Sequence, residues 1–284
     1  MKPHIAKSHI HNTPLGAIEY TVHGIGTPIV FLHGGHSNCY EILAHKGFDK
    51  RTYQLITPSR PGYGQTLLGQ NKTPRQAAAL IVSLLDKLGI DRAVFYGISA
   101  GGRTALEVAA NYPDRCSKLI LASAVTKEWL NRDDKMYKIA KIAFNPKLER
   151  ANWRIVRFMG RVAPGMLARN FFSQFSSSQG SRITAAESRE LVDALKRYGS
   201  GHGFLNDIEQ SVDTNLLKRI ACPTLIVHSQ YDASVPKSHA EYAHKQIPHS
   251  ELHLFENKWG HLLWLGRDYD EVFAVLRAFL AKRN

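Results

Sequence analysis

The sequence predicts an α/β protein: a mostly parallel β-sheet covered by helices on both faces, with a helical insert late in the chain. Three observations predict it. Short apolar runs alternate with helix-like segments. That rhythm lapses over residues 124–215, which read helical, and resumes after them. A Gly-x-Ser-x-Gly run, Gly97 to Gly101, sits where an apolar run turns into a helix.

In chain order, strands are expected over Ala17–Val22, over Pro28–Leu32 ("PIVFL") and over Tyr53–Thr57 ("YQLIT"). The second is a continuous apolar run, as a strand covered on both faces should be. A helix follows. Thr73 is its N-cap, Pro74 its first residue and Gln76 the third member of a capping box. Leu80, Ile81, Leu84, Leu85 and Leu88 hold helical spacing, and Gly89 ends it. Then come a strand over Ala93–Tyr96, a helix over Gly101–Asn111 and a strand over Lys118–Ala122. After the insert, strands are expected over Thr224–His228 and Glu251–Phe255, and a last helix over about Asp268–Arg283. Within the insert, the stretch around Trp153 reads as an amphipathic helix. Ile155, Phe158, Met159 and Val162 share one face, and Arg154, Arg157 and Arg161 take much of the other. Such a helix can lie on a membrane, but packing of its apolar face on its own domain is the expectation. A loop is expected at "SSSQGS".

The chain has 284 residues, 44% of them hydrophobic, which suits one α/β core carrying an insertion. Its three cysteines, Cys39, Cys116 and Cys222, are odd in number and far apart, which argues against a disulfide framework or zinc site. The start, "MKPHIAKSHIHNTPLG", lacks the apolar stretch of a secretory signal, and no apolar run approaches a membrane span. A cytoplasmic protein is expected. The net charge is +13. Residues 127–219 hold 17 Lys/Arg and 10 Asp/Glu, so seven of those net charges fall there. A solvated basic surface explains this better than nucleic-acid binding, since no nucleic-acid module is present.

Ser99 stands out chemically. A sharp strand-to-helix turn exposes its side chain, and the helix N-terminus points at it. A hydroxyl is a weak nucleophile near neutral pH and needs a base, and the base needs an orienting acid. The elbow topology orders these as Ser, then Asp or Glu, then His. Asp232, in "HSQYDASVP", and His261, in "NKWGHLLW", hold those places. Glu128 is the next candidate acid; Asp207 and Asp213 follow. An oxyanion needs donors fixed beforehand. The N–H of Ala100 is one. The loop His33-Gly34-Gly35-His36 offers the other, assigned to Gly35, with His33 held within the loop. No dinucleotide or phosphate loop appears, and no metal set, so neither cofactor nor metal is expected.

"FLHGG", "SRPGYGQT", "GISAGG", "YDASVP" and "WGHLLW", in that order, resemble the α/β-hydrolase fold superfamily. The resemblance spans nearly the whole chain. It implies an eight-stranded sheet, a core of residues 1–123 and 216–284, and a helical cap of residues 124–215 inserted after strand six. It implies Ser99 as nucleophile, Asp232 as acid, His261 as base, and Gly35 and Ala100 as oxyanion donors. Many relatives open the loop "PSRPGYG" with an aspartate where this chain has Ser59 before Arg60. A serine nucleophile argues against haloalkane dehalogenases and epoxide hydrolases, which use aspartate there.

The expected activity is hydrolysis of a carboxylic ester of a small, partly apolar substrate. Lactones, carbon–carbon bonds, peptides and perhydrolysis share this triad. A low-turnover ligand sensor is the competing class, and a basic anion-binding protein a third. Besides the substrate, a second copy of the chain is the one partner allowed for. Trp129, Trp153, Phe171, Phe172, Phe175 and Trp264 are candidates for a substrate pocket, although core packing is the expected role of any one of them.

Overall fold

A computed structural model describes residues 7–179, 182–213 and 215–282. Its eight strands form one sheet: β1 (His9–Thr13), β2 (Gly16–His23), β3 (Thr27–Leu32), β4 (Tyr53–Pro58), β5 (Ala93–Ile98), β6 (Cys116–Ala122), β7 (Thr224–Ser229) and β8 (Ser250–Phe255). Their spatial order is β1-β2-β4-β3-β5-β6-β7-β8. The hairpin β1–β2 and the β2–β4 pair are antiparallel. The remaining pairs are parallel.

Continuous apolar runs and two-sided burial go together. Along β3, Ile29 and Phe31 pack into one core cluster while Val30 and Leu32 pack into another. Along β5, Val94, Tyr96 and Ile98 face the first cluster, Ala93 and Phe95 the second. Helices α1 (Pro74–Lys87), α2 (Gly101–Asn111) and α8 (Ser238–Gln246) cover the second face, and α9 (Tyr269–Ala281) covers the first. The capping box at Thr73 and Gln76 is formed. Between β6 and β7 stand α3 (Lys135–Ala143), α4 (Pro146–Val162), α5 (Pro164–Phe175), α6 (Ala185–Leu195) and α7 (Gly203–Ile208).

The structure differs from the sequence expectation at β1, at α8, at the end of the last helix and on α4. The polar edge strand β1 and the short, polar helix α8 had no apolar periodicity to betray them. The last helix ends at Ala281; Arg283 lies outside the described residues. In "SSSQGS", Ser176 makes an isolated bridge to Asp232, and residues 180 and 181 lie outside the described residues. Only Met159 of the expected apolar face of α4 packs on the core, beside Val156. Glu149, Trp153 and Gly160 turn inward, while Ile155, Phe158 and Val162 are each 60% exposed. The cysteines are free and buried, and Cys116 and Cys222, distant in sequence, bring their sulfurs to 3.6 Å.

Candidate active site

Ser99 follows β5 directly and adopts φ = 49°, a left-handed conformation rare for a residue with a side chain. The neighbouring glycines make that turn sterically feasible. A Cβ on Gly101 would lie 2.1 Å from the carbonyl oxygen of Leu32, and one on Gly97 would lie 2.7 Å from Ala105 Cβ. The carbonyl of Ser99 accepts from the N–H groups of Gly102 and Val125, and its own N–H donates to Ala122.

Three loops at the carboxyl ends of the strands converge here, where open α/β sheets place their ligands. His261 Nε2 lies 3.0 Å from Ser99 Oγ. His261 Nδ1 lies 2.8 Å from Asp232 Oδ2 and 3.1 Å from Oδ1. A carboxylate accepts, so Nδ1 carries the proton and Nε2 is left with a lone pair toward the serine hydroxyl. Asp232 is itself oriented by N–H groups of Ser234 (2.9 Å) and Val235 (2.8 Å). His261 is positioned by its N–H bond to the Phe175 carbonyl (2.9 Å). Gly260, at φ = 57°, lets that carbonyl approach; a Cβ would stand 2.4 Å from it.

Glycines 34 and 35 bring the loop after β3 against the serine. A Cβ on Gly34 would meet Ser99 Cβ at 3.0 Å, and one on Gly35 would meet the Phe204 ring of α7 at 2.8 Å. Among the described residues, no protein acceptor takes the N–H of Gly35 or of Ala100. His33 is fully buried. It accepts the Arg60 N–H on Nε2 at 2.9 Å and turns Nδ1–H to the Gly34 carbonyl at 2.8 Å. Burial, aided by the charge of Arg60, pushes its pKa down to about 3. The other candidate acids are elsewhere. Glu128 and Asp213 are exposed. Asp207 forms a buried bidentate pair with Arg60, at 2.9 and 2.7 Å, and accepts from Tyr63 Oη at 2.6 Å.

The serine opens into a cavity of about 780 Å³. Trp129, Trp153, Phe171, Phe175 and Trp264 all line it, so these five do more than pack the core. Phe172 does not; it packs edge-on against Trp259, ring centres 5.1 Å apart. Glu41 is the one carboxylate among the described lining residues, and no Lys or Arg is among them.

A family model described as alpha/beta hydrolase fold matches residues 27–267. The chain is also 40% identical over 271 residues to the uncharacterized hydrolase YcgS of Bacillus subtilis (strain 168), a match covering 93% of this chain and 95% of that protein. The chain belongs to the alpha/beta hydrolase fold family. The human serine hydrolase BPHL is 26% identical over 216 residues, 74% of this chain and 64% of the relative. A solved alpha/beta hydrolase fold protein from Nakamurella multipartita superposes with a TM-score of 0.75 at 25% identity, covering 96% of this chain and 99% of that one. This alpha/beta hydrolase also carries groups that sequence reasoning passed over. His228, at the end of β7, is fully buried beneath Asp232, with Nε2 donating to the Val235 carbonyl (2.9 Å) and 3.3 Å from Asp232 Oδ2. Burial lowers its pKa despite that carboxylate. Its only signal was its place four residues before Asp232. Ser59 gives its hydroxyl proton to Glu19 (2.9 Å) and accepts from the Cys39 N–H (3.0 Å), so strand β2 supplies a carboxylate at this loop.

Proposed function

We propose that the protein is a serine esterase that cleaves a neutral, largely apolar carboxylic ester through an acyl-enzyme. One observation carries this reading: Ser99, His261 and Asp232 form an unbroken hydrogen-bonded chain at the floor of an aromatic-lined cavity. His261 Nε2 takes the hydroxyl proton as Ser99 Oγ attacks the ester carbonyl. Asp232 keeps the imidazole in the tautomer that accepts there and stabilises the imidazolium. The Gly35 and Ala100 N–H groups, which have no protein acceptor among the described residues, receive the oxyanion, and the N-terminus of α2 adds its positive end. The imidazolium returns the proton to the leaving alkoxide, and the alcohol departs. Water, losing a proton to His261, then attacks the acyl-enzyme, and the acid leaves with Ser99 restored.

The cavity supports a neutral substrate. It lies within the usual volume range of small-molecule sites. In a chain of net charge +13 its lining offers one carboxylate and no cation, so an anionic substrate would find no partner. A panel of p-nitrophenyl esters of increasing acyl length tests the reading. Turnover should be measurable on apolar acyl groups, and Ser99→Ala should lower kcat by at least about 10³-fold. Turnover that survives this substitution refutes Ser99 as nucleophile. Tight ligand binding without turnover across the panel points instead to a sensor.

A further inference from the structure

We infer that the outward face of α3, α4 and the start of α5 is a docking surface for an anionic phospholipid bilayer, set beside the mouth of the cavity. Of the twelve large hydrophobic side chains exposed among the described residues, seven fall between Ile139 and Met166. On α4, Leu148, Ile155, Phe158 and Val162 form an apolar strip, 48–60% exposed. Their spacing places them on one side of the helix, and the buried Glu149, Trp153 and Gly160 lie on another. Ile139 and Ile142 of α3 and Met166 of α5 add to the exposed apolar area.

The strip is edged by positive charge. Residues 135–170 hold nine Lys or Arg and one carboxylate, Glu149, which is buried. Lys141 is paired with Glu209, and Arg157 donates to the Tyr198 carbonyl. Lys147, Arg150, Arg154 and Arg161 are exposed and, among the described residues, have no acidic partner. On α4, then, the solvent-facing half is itself divided into an apolar strip and a basic strip. That is the pattern of a helix lying in a membrane interface, with rings and aliphatic chains below the headgroups and cations among the phosphates.

A second copy of the chain fits poorly. A two-fold interface would set the same face on both partners and oppose like charges across it. Nucleic acid would satisfy the arginines but bury no apolar strip. No described helix is long and apolar enough to cross a membrane, so the association is peripheral. The position suits an apolar ester: Ile139 is 47% exposed and also lines the cavity, so the docked face and the cavity share a wall.

Co-sedimentation with phosphatidylcholine vesicles, with and without phosphatidylglycerol, tests this on the intact chain. Ser99→Ala is assayed beside the parent chain, so that docking is read independently of hydrolysis. The chain should sediment with phosphatidylglycerol vesicles, bind phosphatidylcholine far more weakly, and lose binding as salt screens the charges. Reversing three charges (Arg150→Glu, Arg154→Glu, Arg161→Glu) should weaken binding at least about tenfold. Ile155→Ser with Phe158→Ser should weaken it while leaving its salt dependence. Both variants should keep the parent melting temperature and turnover of a soluble ester. Equal binding to both vesicle types overturns the inference, as does unchanged binding after charge reversal. So does a solution dimer that Phe158→Ser dissociates, or DNA binding as tight as vesicle binding. Docking by a chain that turns over no ester would retain this inference and sink the esterase reading alone.

Discussion

Replacing Asp207 by asparagine keeps the shape of the side chain and removes the charge that balances Arg60. Both partners are almost fully enclosed, with side chains 3–4% exposed. Burial alone would raise the Asp207 pKa, yet Arg60 and the bonds from Arg60 and Tyr63 hold it below the ordinary 3.8, so the carboxylate is charged. The substituted amide would leave the guanidinium uncompensated, with an N–H₂ facing its donors. Breaking a buried pair from one side costs about 3–5 kcal/mol. For a chain of this length, that is a fall in melting temperature of roughly 10 °C. Arg60→Met with Asp207→Leu removes the guanidinium together with its carboxylate and leaves Arg103, buried and held by the Asp207 backbone carbonyl, as the one cation nearby among the described residues, so the double variant should be more stable than Asp207→Asn by at least about 1.5 kcal/mol. Activity should fall too. Asp207 anchors α7, whose Phe204 ring lies against Gly35, and Arg60 holds the His33 carbonyl at 2.7 Å. A small displacement of that loop should lower kcat/KM on a p-nitrophenyl ester by about tenfold. Urea titration and steady-state kinetics read both effects. An Asp207→Asn chain within about 1 kcal/mol of the parent refutes the reasoning, as does a double variant as unstable as the summed single substitutions.

Asp232→Asn should lower kcat by about 10⁴-fold with little change in melting temperature, because the wrong His261 tautomer is favoured; an equal loss in Glu128→Gln would move the acid to Glu128. Gly101→Ala sets a Cβ against the Leu32 carbonyl oxygen and should destabilise by about 3 kcal/mol or more, whereas Gly69→Ala meets no atom within 4 Å and should cost about 1 kcal/mol of backbone strain. Thermal melts of the pair fail the prediction if their order is reversed. His33 and His239 are buried, and burial holds each near a pKa of about 3 against an ordinary 6.5. The unfolded chain therefore binds more protons in that window, and stability falls as pH drops below about 6.5, by up to roughly 2–3 kcal/mol per pH unit for the two together. A melting temperature unchanged between about pH 7 and about pH 5 would show that these imidazoles are not held neutral.

Where side-chain period and burial coincide, the sequence was legible. β3 from Pro28 to Leu32 and all of β5 carry no exposed polar residue because both faces are covered, and each strand boundary there is right to within about two residues. Thr73 and Gln76 revealed α1 because a capping box is local chemistry. Ser99, Asp232 and His261 were readable from chain order because each stands just past a strand of the parallel sheet. β1 was not readable: it is an edge strand in which every side chain is at least partly exposed, so nothing in its pattern separates it from a loop. Arg60 and Asp207 lie 147 residues apart, and no local rule pairs them. On α4 the arginines and the apolar residues were assigned to opposite faces, as if one faced the core. The core contact is instead a strip carried by Glu149, Trp153, Val156, Met159 and Gly160, turned away from Ile155, Phe158 and Val162, and the buried carboxylate and glycine within it masked its apolar character.

The insert is fastened to the core unevenly, and this bears on how a substrate reaches Ser99. The end of α5 is stitched to the loops of Asp232 and His261: the Phe175 carbonyl accepts from both Ala233 and His261, and Ser177 donates to Tyr231. Helix α6 reaches the core through Lys46–Glu190 and Lys258–Glu187, and α7 through Arg60–Asp207. Any movement of α5 or α7 would therefore disturb the alignment of His261 or Gly35. Side-chain hydrogen bonds from α3 and α4 instead end within the insert, at Glu209, Tyr198, Ser200 and Ala143, among the described residues. None of these bonds ends directly on the loops of Ser99, Asp232 or His261, and hydrogen bonds link α4 to the loop after β3 only through Ser200, whose Oγ lies 2.6 Å from His36 Nδ1. Local opening favours elements with few such ties. The part of the insert least tied to the loops of Ser99, Asp232 and His261 is thus α3 and α4, the helices that carry the exposed apolar strip and its arginines.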